Sequence, residues 1–387
     1  MKREIYVKPP IEANSPGKLW LLKQGAYGII DGGRLFYLRF SEEMIKLGMH
    51  KVHSDGALFT YVKNGNLQGI IVSHVDDWLV SGNNEFEKDI VSKLKEKFQF
   101  SKVEKNNFKY CGCNISVEDG VIKIDQQDYI NSLQKIEYTG DDLERELNDA
   151  EKKKARGKLG ELLWISLLTR PDLSFEVNLL SSEINRGTVS TLKAMNKVVE
   201  KAQNSSCILQ FKKLGDISDL RIKVYADASF CNQDDRTRST SGRAIVLEQV
   251  GSNMVNLISW KTRKINRICR SVKAAETLAL EEAVDEAVNT APLIKEIYEG
   301  KIDLKQPSQI PVICATDSKS LWENVHNTRQ CEEKLLRNSI ASIKQLIEFK
   351  FVEDVLWVPT TEQLADCLTK KGQNSKWLLA VASMNNL

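Results

Sequence analysis

The sequence predicts a chain with an α+β part followed by an α/β part. In residues 57–82, two strand patterns flank the pair Asn64-Gly65, which is a strong signal for a tight β-hairpin. From about Leu220 the predicted order becomes three strands followed by alternating helices and strands, which is typical of a sheet covered by helices. A third observation is a set of acids at the ends of these later elements, namely Asp227, Glu276, Asp317 and Asp366.

Composition sets broad limits on what the chain can be. With 387 residues, of which 42% are hydrophobic and 28% charged, it is long enough for two or three domains with cores of their own. The net charge of +3 is too small to indicate nucleic-acid binding by itself. No apolar run approaches the roughly 20 residues that span a bilayer, so we expect no membrane insertion.

The eight cysteines do not form a disulfide or zinc pattern. Only Cys111 and Cys113 are close together, and neither is part of a Cys-x-x-Cys pair or has a nearby histidine. No signal peptide is recognisable at the start. We therefore expect reduced thiols and a cytoplasmic or nuclear location.

The first half is expected to contain short strands and amphipathic helices. The helix predicted from Ala26 toward Leu47 includes Asp31-Gly32-Gly33, and its glycines disfavour a helix interior. The dense charges of residues 139–158 predict an exposed linker. The other predicted elements are strands at 2–7 and 18–22, a helix at 84–100, a strand pair at 108–115 and 120–124, and helices at 159–168 and 191–203.

Asp76 and Asp77 interrupt a strand pattern and are placed at the tip of a second tight hairpin. Two neighbouring acids at a turn are commonly solvated turn formers. A functional role is the alternative, and the pattern alone does not decide between the two.

Asp227 lies near the end of the strand Lys223–Phe230, where Val224, Ala226 and Ala228 alternate with it. Glu276 heads an apolar stripe on the long predicted helix 274–299, whereas Glu281 and Glu282 lie off that stripe and are expected to be solvated.

Asp317 follows an apolar strand, at the end where sheets with parallel strands carry ligands. Asp366 is expected in the first turns of a last helix spanning 362–370, where an acid can also serve only to stabilise the helix dipole.

Several motifs resemble segments of the copia-type retrotransposon Pol polyproteins. His74-Val75-Asp76-Asp77 is similar to the Tyr-x-Asp-Asp box of reverse transcriptases, and Tyr27-Gly28-Ile29 with Arg34-Leu35-Phe36-Tyr37 resembles a polymerase segment of that family. The best-marked pieces are Thr-Arg-Pro-Asp at 169–172, Tyr-Ala-Asp-Ala at 225–228 with Arg-Ser-Thr-Ser-Gly at 238–242, and Leu-Ala-Asp-Cys-Leu-Thr-Lys at 364–370. The resemblance covers nearly the whole chain.

The resemblance implies a partial reverse-transcriptase palm with a helical connection, followed by a ribonuclease H-like domain. The corresponding domains are residues 1–135 for the palm, 136–215 for the thumb or connection, 216–372 for the ribonuclease H-like domain and 373–387 for a C-terminal tail. Asp76 would be a polymerase metal ligand with Asp77 beside it. The family's third acid lies on a strand upstream of the Glu-Ile-Tyr-Val-Lys-Pro-Pro segment, so we expect polymerase activity to be lost.

For the second half, the resemblance implies that Asp227, Glu276, Asp317 and Asp366 hold two Mg²⁺ ions, with Mn²⁺ as an alternative. The implied substrate is the RNA strand of an RNA–DNA hybrid, and a fuller polymerase subunit is a candidate partner. No membrane and no small-molecule cofactor are expected. The candidate phosphate contacts are Arg238, Lys261 and Arg263.

Two other functions remain open at this stage. The chain could be a catalytically silent relic or a co-opted nucleic-acid-binding protein with the same fold. A DDE-type transposase or integrase shares the nuclease fold and its acids, but the polymerase-like segments upstream argue against it.

Overall fold

The structure is a computed structural model, which describes residues 4–23, 28–139, 142–233, 237–303, 305–308, 310–328, 331–372 and 375–384. It divides into two compact units. Unit 1 consists of Met1–Lys102 and Leu293–Asp303, and unit 2 of Val103–Pro292 and Leu304–Leu387. Within the described ranges, no helix combines the length and the apolar character needed to cross a bilayer.

Unit 1 contains an antiparallel sheet of four strands next to helices. The sheet order is β3-β4-β5-β6, and a separate two-stranded pair is formed by β1 and β2. The elements in chain order are β1 (Tyr6–Val7), β2 (Trp20–Leu21), α1 (Gly32–Lys46), β3 (His50–Lys51), β4 (Leu58–Lys63), β5 (Asn66–His74), β6 (Asp77–Gly82), α2 (Asn84–Phe86), a π-helical turn (Glu87–Val91) and α3 (Ser92–Lys97).

The predicted Asn-Gly hairpin is present between β4 and β5. Asn64 and Gly65 have φ angles of 53° and 77°, and positive φ at both central residues defines the type I′ turn that suits the strand twist. Lys63 then pairs with Asn66 in the ladder. Aromatic side chains from α1, β4 and β6 form the core beneath this sheet, with Phe40 and Phe59 fully buried.

The glycines near Asp31 do not lie in a helix interior. Helix α1 begins at Gly32, with Asp31 as its N-cap residue, so Gly32 and Gly33 form its first turn. Gly28 precedes the helix with a φ of 86°. The expected penalty for glycine in a helix interior therefore does not apply here. Tyr27, which belongs to one of the recognised motifs, lies outside the described residues.

The first part of unit 2 combines a small sheet with helices. Strand β10 joins the three strands that precede it along the chain, giving the order β10-β9-β8-β7. The elements are β7 (Asn107–Tyr110), β8 (Cys113–Glu118), β9 (Val121–Asp125), α4 (Gln127–Ser132), α5 (Asp149–Leu168), α6 (Ser174–Glu183), α7 (Val189–Asn204) and β10 (Leu209–Phe211).

The predicted linker at 139–158 is wrong beyond Asn148, because α5 begins at Asp149. Asn148 and Glu151 cap the helix reciprocally, and Arg145 forms an ion pair with Glu151 at 2.8 Å. Ala155 and Leu159 are buried in the helical core. The high charge density concealed the capping pair and the buried positions, which are the signals of this helix. Gly140 and Asp141 of the predicted linker lie outside the described residues.

The Thr-Arg-Pro-Asp motif has a structural role at the end of α5. Arg170 is fully buried and forms two hydrogen bonds with Asp172, from Nε to Oδ1 at 2.9 Å and from Nη2 to Oδ2 at 2.8 Å. It also donates to the main-chain oxygen of Ala202 and to the hydroxyl of Ser205. The motif thereby ties the end of α5 to the end of α7.

The second part of unit 2 is a five-stranded mixed sheet in the order β13-β12-β11-β14-β15. β11, β12 and β13 form an antiparallel meander, while β14 runs parallel to β11 and β15 parallel to β14. This strand order agrees with the ribonuclease H-like domain that the family resemblance implies. The elements are β11 (Leu220–Ser229), β12 (Thr240–Gln249), β13 (Val255–Lys264), α8 (Val272–Glu299, whose residues from Leu293 onward belong to unit 1), β14 (Val312–Thr316), α9 (Lys319–His326), α10 (Arg337–Glu348), β15 (Asp354–Trp357) and α11 (Lys376–Met384).

Some details of this part differ from the prediction. Helix α9 was not predicted, although Leu321 and Val325 give it a short buried stripe. The helix predicted at 362–370 is wrong, since only short 3₁₀ turns at Thr360–Glu362 and Asp366–Leu368 are present. Between them Gln363 is extended, because its side-chain amide donates to the main-chain oxygen of Ala226 at 2.9 Å and holds the segment against β11.

Candidate metal centre

Asp227 lies on the central strand β11 and is completely buried. Its Oδ2 accepts a hydrogen bond from the Thr369 hydroxyl, while its Oδ1 has no partner among the described residues. Burial raises the pKa of Asp227 to about 6, against the opposing effects of the Lys370 ammonium and the Thr369 hydrogen bond. A buried carboxylate oxygen without a donor is costly, and a catalytic role or a bound ion is a common explanation for such an atom.

Glu276 lies in the second turn of α8 and is 6% exposed. Its Oε2 likewise lacks a partner in the part of the chain that the structure describes, and the Ala228 amide donates to its carboxylate. Burial raises the pKa of Glu276 to about 9, and the negative charges of Asp227 and Asp317 add to this rise. The apolar stripe that singled out Glu276 is real, since Leu280, Ala283 and Ala287 are all buried.

Glu281 and Glu282 are not simply solvated, contrary to the prediction. Glu281 accepts a hydrogen bond from Ser339 at 2.8 Å, and Glu282 contacts Ser241 and Arg243 at 3.1 and 3.4 Å. Both are half-buried, since α8 is packed on more than one side.

Asp317 follows β14 at its C-terminal end and is half-buried. The Thr360 hydroxyl donates to its Oδ2 at 2.9 Å, and the Trp357 indole donates to its main-chain oxygen at 3.1 Å. Since β14 runs parallel to β11, with Ala315 opposite Tyr225, the ends of both strands carry their acids to the same edge of the sheet.

These three acids form one group. Asp227, Glu276 and Asp317 each offer an oxygen, and the three oxygens lie within 4.8 Å of one another. Carboxylate oxygens are the ligands that Mg²⁺ and Mn²⁺ prefer in proteins. Asp227 and Glu276 each also have a buried oxygen without a partner among the described residues, so the donor set fits a divalent cation.

Asp366 is not part of this group. Its Oδ1 forms an ion pair with Lys370, whose Nζ also lies 3.6 Å from Asp227 Oδ2. The structure thus brings three of the four acids named from the sequence together, and the charge of the fourth is neutralised by a lysine. Burial alone would lower the pKa of Lys370, but the carboxylates of Asp227 and Asp366 more than offset this and raise it.

Residues 360–370, which we call the strap, hold these side chains in place. Besides Gln363, the strap is fixed by Thr262, which donates to the Leu368 oxygen at 2.8 Å, and by Asn232, which donates to the Thr369 oxygen at 2.8 Å. Gly242 allows the close approach, since a Cβ there would lie 2.6 Å from Thr369 Cγ2 and 2.9 Å from Leu368 Cβ.

Thr369 and Lys370 were quoted in a motif but not predicted as site residues. The signal that could have identified Lys370 is its spacing of four from Asp366, although it would have suggested an ordinary surface pair. No local pattern points to the contact of Thr369 with Asp227, because the two residues are 142 positions apart.

Asp76 and Asp77 lie at the tip of the β5–β6 hairpin, as predicted, and both are exposed. Val75 has a φ of 55°, and His74 pairs with Asp77 across the turn. Among the described residues, neither acid belongs to a group of three that could hold a metal ion.

The three predicted phosphate contacts differ in position. Asp227 pairs with Gly242, and Gly242 pairs with Thr262 on the next strand, so these three residues lie on one face of the sheet. Lys261 and Arg263, which flank Thr262, therefore point to the other face. Lys261 is exposed and Arg263 lies 3.8 Å from Glu282.

Arg238 precedes β12 at the same end of the sheet as Asp227, because Thr240 pairs with Ser229. Its guanidinium donates to the Asn266 oxygen. The structure thus places one of the three candidates, Arg238, at the edge that carries the acids.

Comparisons with known proteins bear on both parts of the chain. Residues 1–144 match the family model described as reverse transcriptase (RNA-dependent DNA polymerase). The chain is 24% identical to the retrovirus-related Pol polyprotein from transposon RE1 of Arabidopsis thaliana, covering 95% of this chain and 25% of that protein. The predicted resemblance to copia-type retrotransposon Pol polyproteins is confirmed. It extends to the transposon Ty1-MR1 Gag-Pol polyprotein of Saccharomyces cerevisiae, which is 22% identical over 96% of this chain and 22% of that protein.

The chain thus spans about a quarter of the length of these Pol relatives. Among solved structures, an RNase H1 from Halobacterium salinarum aligns with 38% of this chain and 94% of its own, at 17% identity and a TM-score of 0.27. The fold class of the second half is inferred from the strand order of this chain and not from the TM-score. The reverse-transcriptase match also disfavours the transposase alternative.

Proposed function

We propose that this chain is a ribonuclease H, which uses divalent metal ions at Asp227, Glu276 and Asp317 to hydrolyse the RNA strand of an RNA–DNA hybrid. The observation that carries the proposal is the pair of buried, unpartnered oxygens, Asp227 Oδ1 and Glu276 Oε2, within one group of three acids. Buried carboxylates with raised pKa values and one unpartnered oxygen each lower stability, so their convergence is better explained by chemistry than by folding.

The site residues have different proposed roles. Asp227 and Glu276 supply the two buried oxygens, and Asp317 completes the ligand set from the half-exposed side. Thr369 and Thr360 orient the carboxylates of Asp227 and Asp317 through their hydroxyl donors. When bound, Mg²⁺ or Mn²⁺ supplies Lewis acidity that activates a water molecule and stabilises the departing oxygen. We propose two ions per site, with Asp366 contributing to the second.

The substrate follows from the relationship to Pol polyproteins, because reverse transcription leaves RNA paired with DNA. Ribose 2′-hydroxyls distinguish the RNA strand, and phosphates of either strand can bind basic side chains. Arg238 is the proposed phosphate contact nearest the acids. Lys261 and Arg263 remain candidates for a strand that passes the outer edge of β13.

The test is Mg²⁺-dependent cleavage of a hybrid in which only the RNA strand is labelled. We expect cleavage by the full chain and a loss of at least about 100-fold in Asp227→Asn and in Glu276→Gln. Glu353→Gln is the matched control, since Glu353 is exposed and lies before β15, at the end remote from Asp317. Equal cleavage by Asp227→Asn would overturn the proposal.

The same assay tests the alternative that the protein is catalytically silent. Hybrid binding without any Mg²⁺- or Mn²⁺-dependent cleavage above the Asp227→Asn background would support a nucleic-acid-binding protein and refute the ribonuclease H. On the polymerase side, we propose Asp76 and Asp77 as the acids of the palm site, exposed where a primer end could approach them.

A further inference from the structure

We propose that the Lys370 ammonium is a resident counter-ion of the metal centre and makes the two divalent cations bind in a fixed order. The inference rests on the proposed function, because it concerns the same acids. It assigns Lys370 as a positioning residue, which acts through the carboxylates rather than on the substrate.

The position of Lys370 is the first argument. Its Nζ forms an ion pair with Asp366 Oδ1 and lies 3.6 Å from Asp227 Oδ2, so it lies between the buried acid and the one outside the group. Asp227 is completely buried, and a buried carboxylate requires a nearby compensating charge or a proton. The lysine provides part of this charge in the metal-free protein.

The two oxygens of Asp227 are not equivalent. Oδ1 has no partner among the described residues, whereas Oδ2 accepts from Thr369 and faces Lys370. A first cation can therefore bind Asp227 Oδ1 and Glu276 Oε2 without displacing any protein group. A second cation that binds Asp366 lies close to the Lys370 ammonium. The repulsion between the two positive charges weakens binding of this cation until the lysine side chain moves away.

The strap allows Lys370 to move without unfolding the site. The main chain is fixed just before Lys370, where Asn232 binds the Thr369 oxygen and the Thr369 hydroxyl binds Asp227. The Lys370 side chain is long and about one-third exposed (34%), so rotation about its own bonds can carry the ammonium into solvent. The carboxylates and the strap can stay where they are during this change.

The experiment measures Mn²⁺ binding to the metal-free full chain by calorimetry and by electron paramagnetic resonance. The wild type should bind one ion tightly and a second more weakly. In Lys370→Met the second ion should bind at least about tenfold more tightly, because the competing charge is gone. Lys370→Arg keeps the charge and should retain the wild-type pattern, and Lys371→Met is the matched control, since Lys371 is exposed and next in sequence.

Thermal unfolding provides a second readout. In EDTA, Lys370→Met should melt several degrees below the wild type, because Asp227 loses its counter-ion. In excess Mn²⁺ the difference should disappear or reverse, which a purely structural role would not produce. If Lys370→Met does not fold, Lys370→Gln is measured in the same way.

The two hypotheses fail differently. Two-step binding of Mn²⁺ that is identical in the wild type, Lys370→Met and Lys370→Gln would overturn this inference and leave the ribonuclease H proposal intact. If the wild type shows no Mn²⁺ binding that is lost in Asp227→Asn, both proposals are overturned.

Discussion

Glu276→Gln should stabilise the metal-free protein while it abolishes metal binding. Glu276 is buried, one of its oxygens has no partner in the described residues, and its pKa is raised from 4.5 to about 9. At pH 7 the folded protein therefore holds a proton on Glu276 that the unfolded chain has released. Glutamine has the same shape and cannot ionise in either state, so it avoids this difference.

The magnitude follows from proton linkage. A carboxyl group whose pKa is raised in the folded state makes the free energy of unfolding fall as pH rises from the unfolded pKa toward the folded pKa. Here that window extends from 4.5 to about 9. Since pH 7 lies about 2.5 units above the lower limit and each unit is about 1.4 kcal/mol, the stabilisation by Glu276→Gln at pH 7 should reach about 3.5 kcal/mol at most.

Urea unfolding in EDTA between about pH 5 and pH 9 measures this effect. The advantage of Glu276→Gln over the wild type should be small near pH 5 and grow with pH, and the exposed control Glu353→Gln should show no such growth. With saturating Mg²⁺ the order should invert, because binding stabilises only the wild type. A variant that is less stable than the wild type at pH 8 in EDTA would refute the reasoning.

Three further predictions concern other parts of the chain. Arg170→Ala leaves the buried carboxylate of Asp172 without its partner, and urea unfolding should show a loss of about 3–5 kcal/mol; a loss under about 1 kcal/mol would contradict the structural role of this pair. Gly242→Ala should push the strap off the sheet, lower stability by about 1–3 kcal/mol and weaken Mn²⁺ binding. Gly160 lies in α5 with open space around it, so Gly160→Ala should instead raise stability by about 0.5–1 kcal/mol. Primer extension on an RNA template should stay at background, because Asp76 and its neighbour form no metal-competent group with a third acid in the described residues; extension that Asp76→Asn abolishes would show otherwise.

The sequence was sufficient where a local pattern defines the structure. Asn64-Gly65 predicts the type I′ turn because both residues tolerate positive φ, and the structure has it. Glu276 could be separated from Glu281 and Glu282 because helical spacing places it alone at the head of a buried stripe. Asp317 could be placed because an acid directly after a parallel strand lies at the ligand-binding edge.

Sequence patterns were insufficient where long-range contacts decide the structure. A period of two shows that Lys261 and Arg263 share a face. Only the pairing of Asp227 with Gly242, and of Gly242 with Thr262, shows that this face is turned away from Asp227. The strap was expected to be helical because its local composition permits a helix. The hydrogen bond from Gln363 to β11 competes successfully with that preference.

The strap also explains why the two buried carboxylates should respond differently to substitution. Burial raises both pKa values, but compensation by Lys370 and Thr369 holds the pKa of Asp227 to about 6. For Glu276 the charges of Asp227 and Asp317 add to the effect of burial and outweigh the opposing effects of Lys370 and the Ala228 amide, so its pKa rises to about 9. The energetic cost of burying Asp227 is already partly offset. Asp227→Asn should therefore stabilise the protein in EDTA less than Glu276→Gln does. Lys370→Met removes that offset and should shift the pKa of Asp227 upward, so that Asp227→Asn becomes more stabilising in the Lys370→Met background than alone. Equal effects of Asp227→Asn in the two backgrounds would show that Lys370 does not compensate the buried acid.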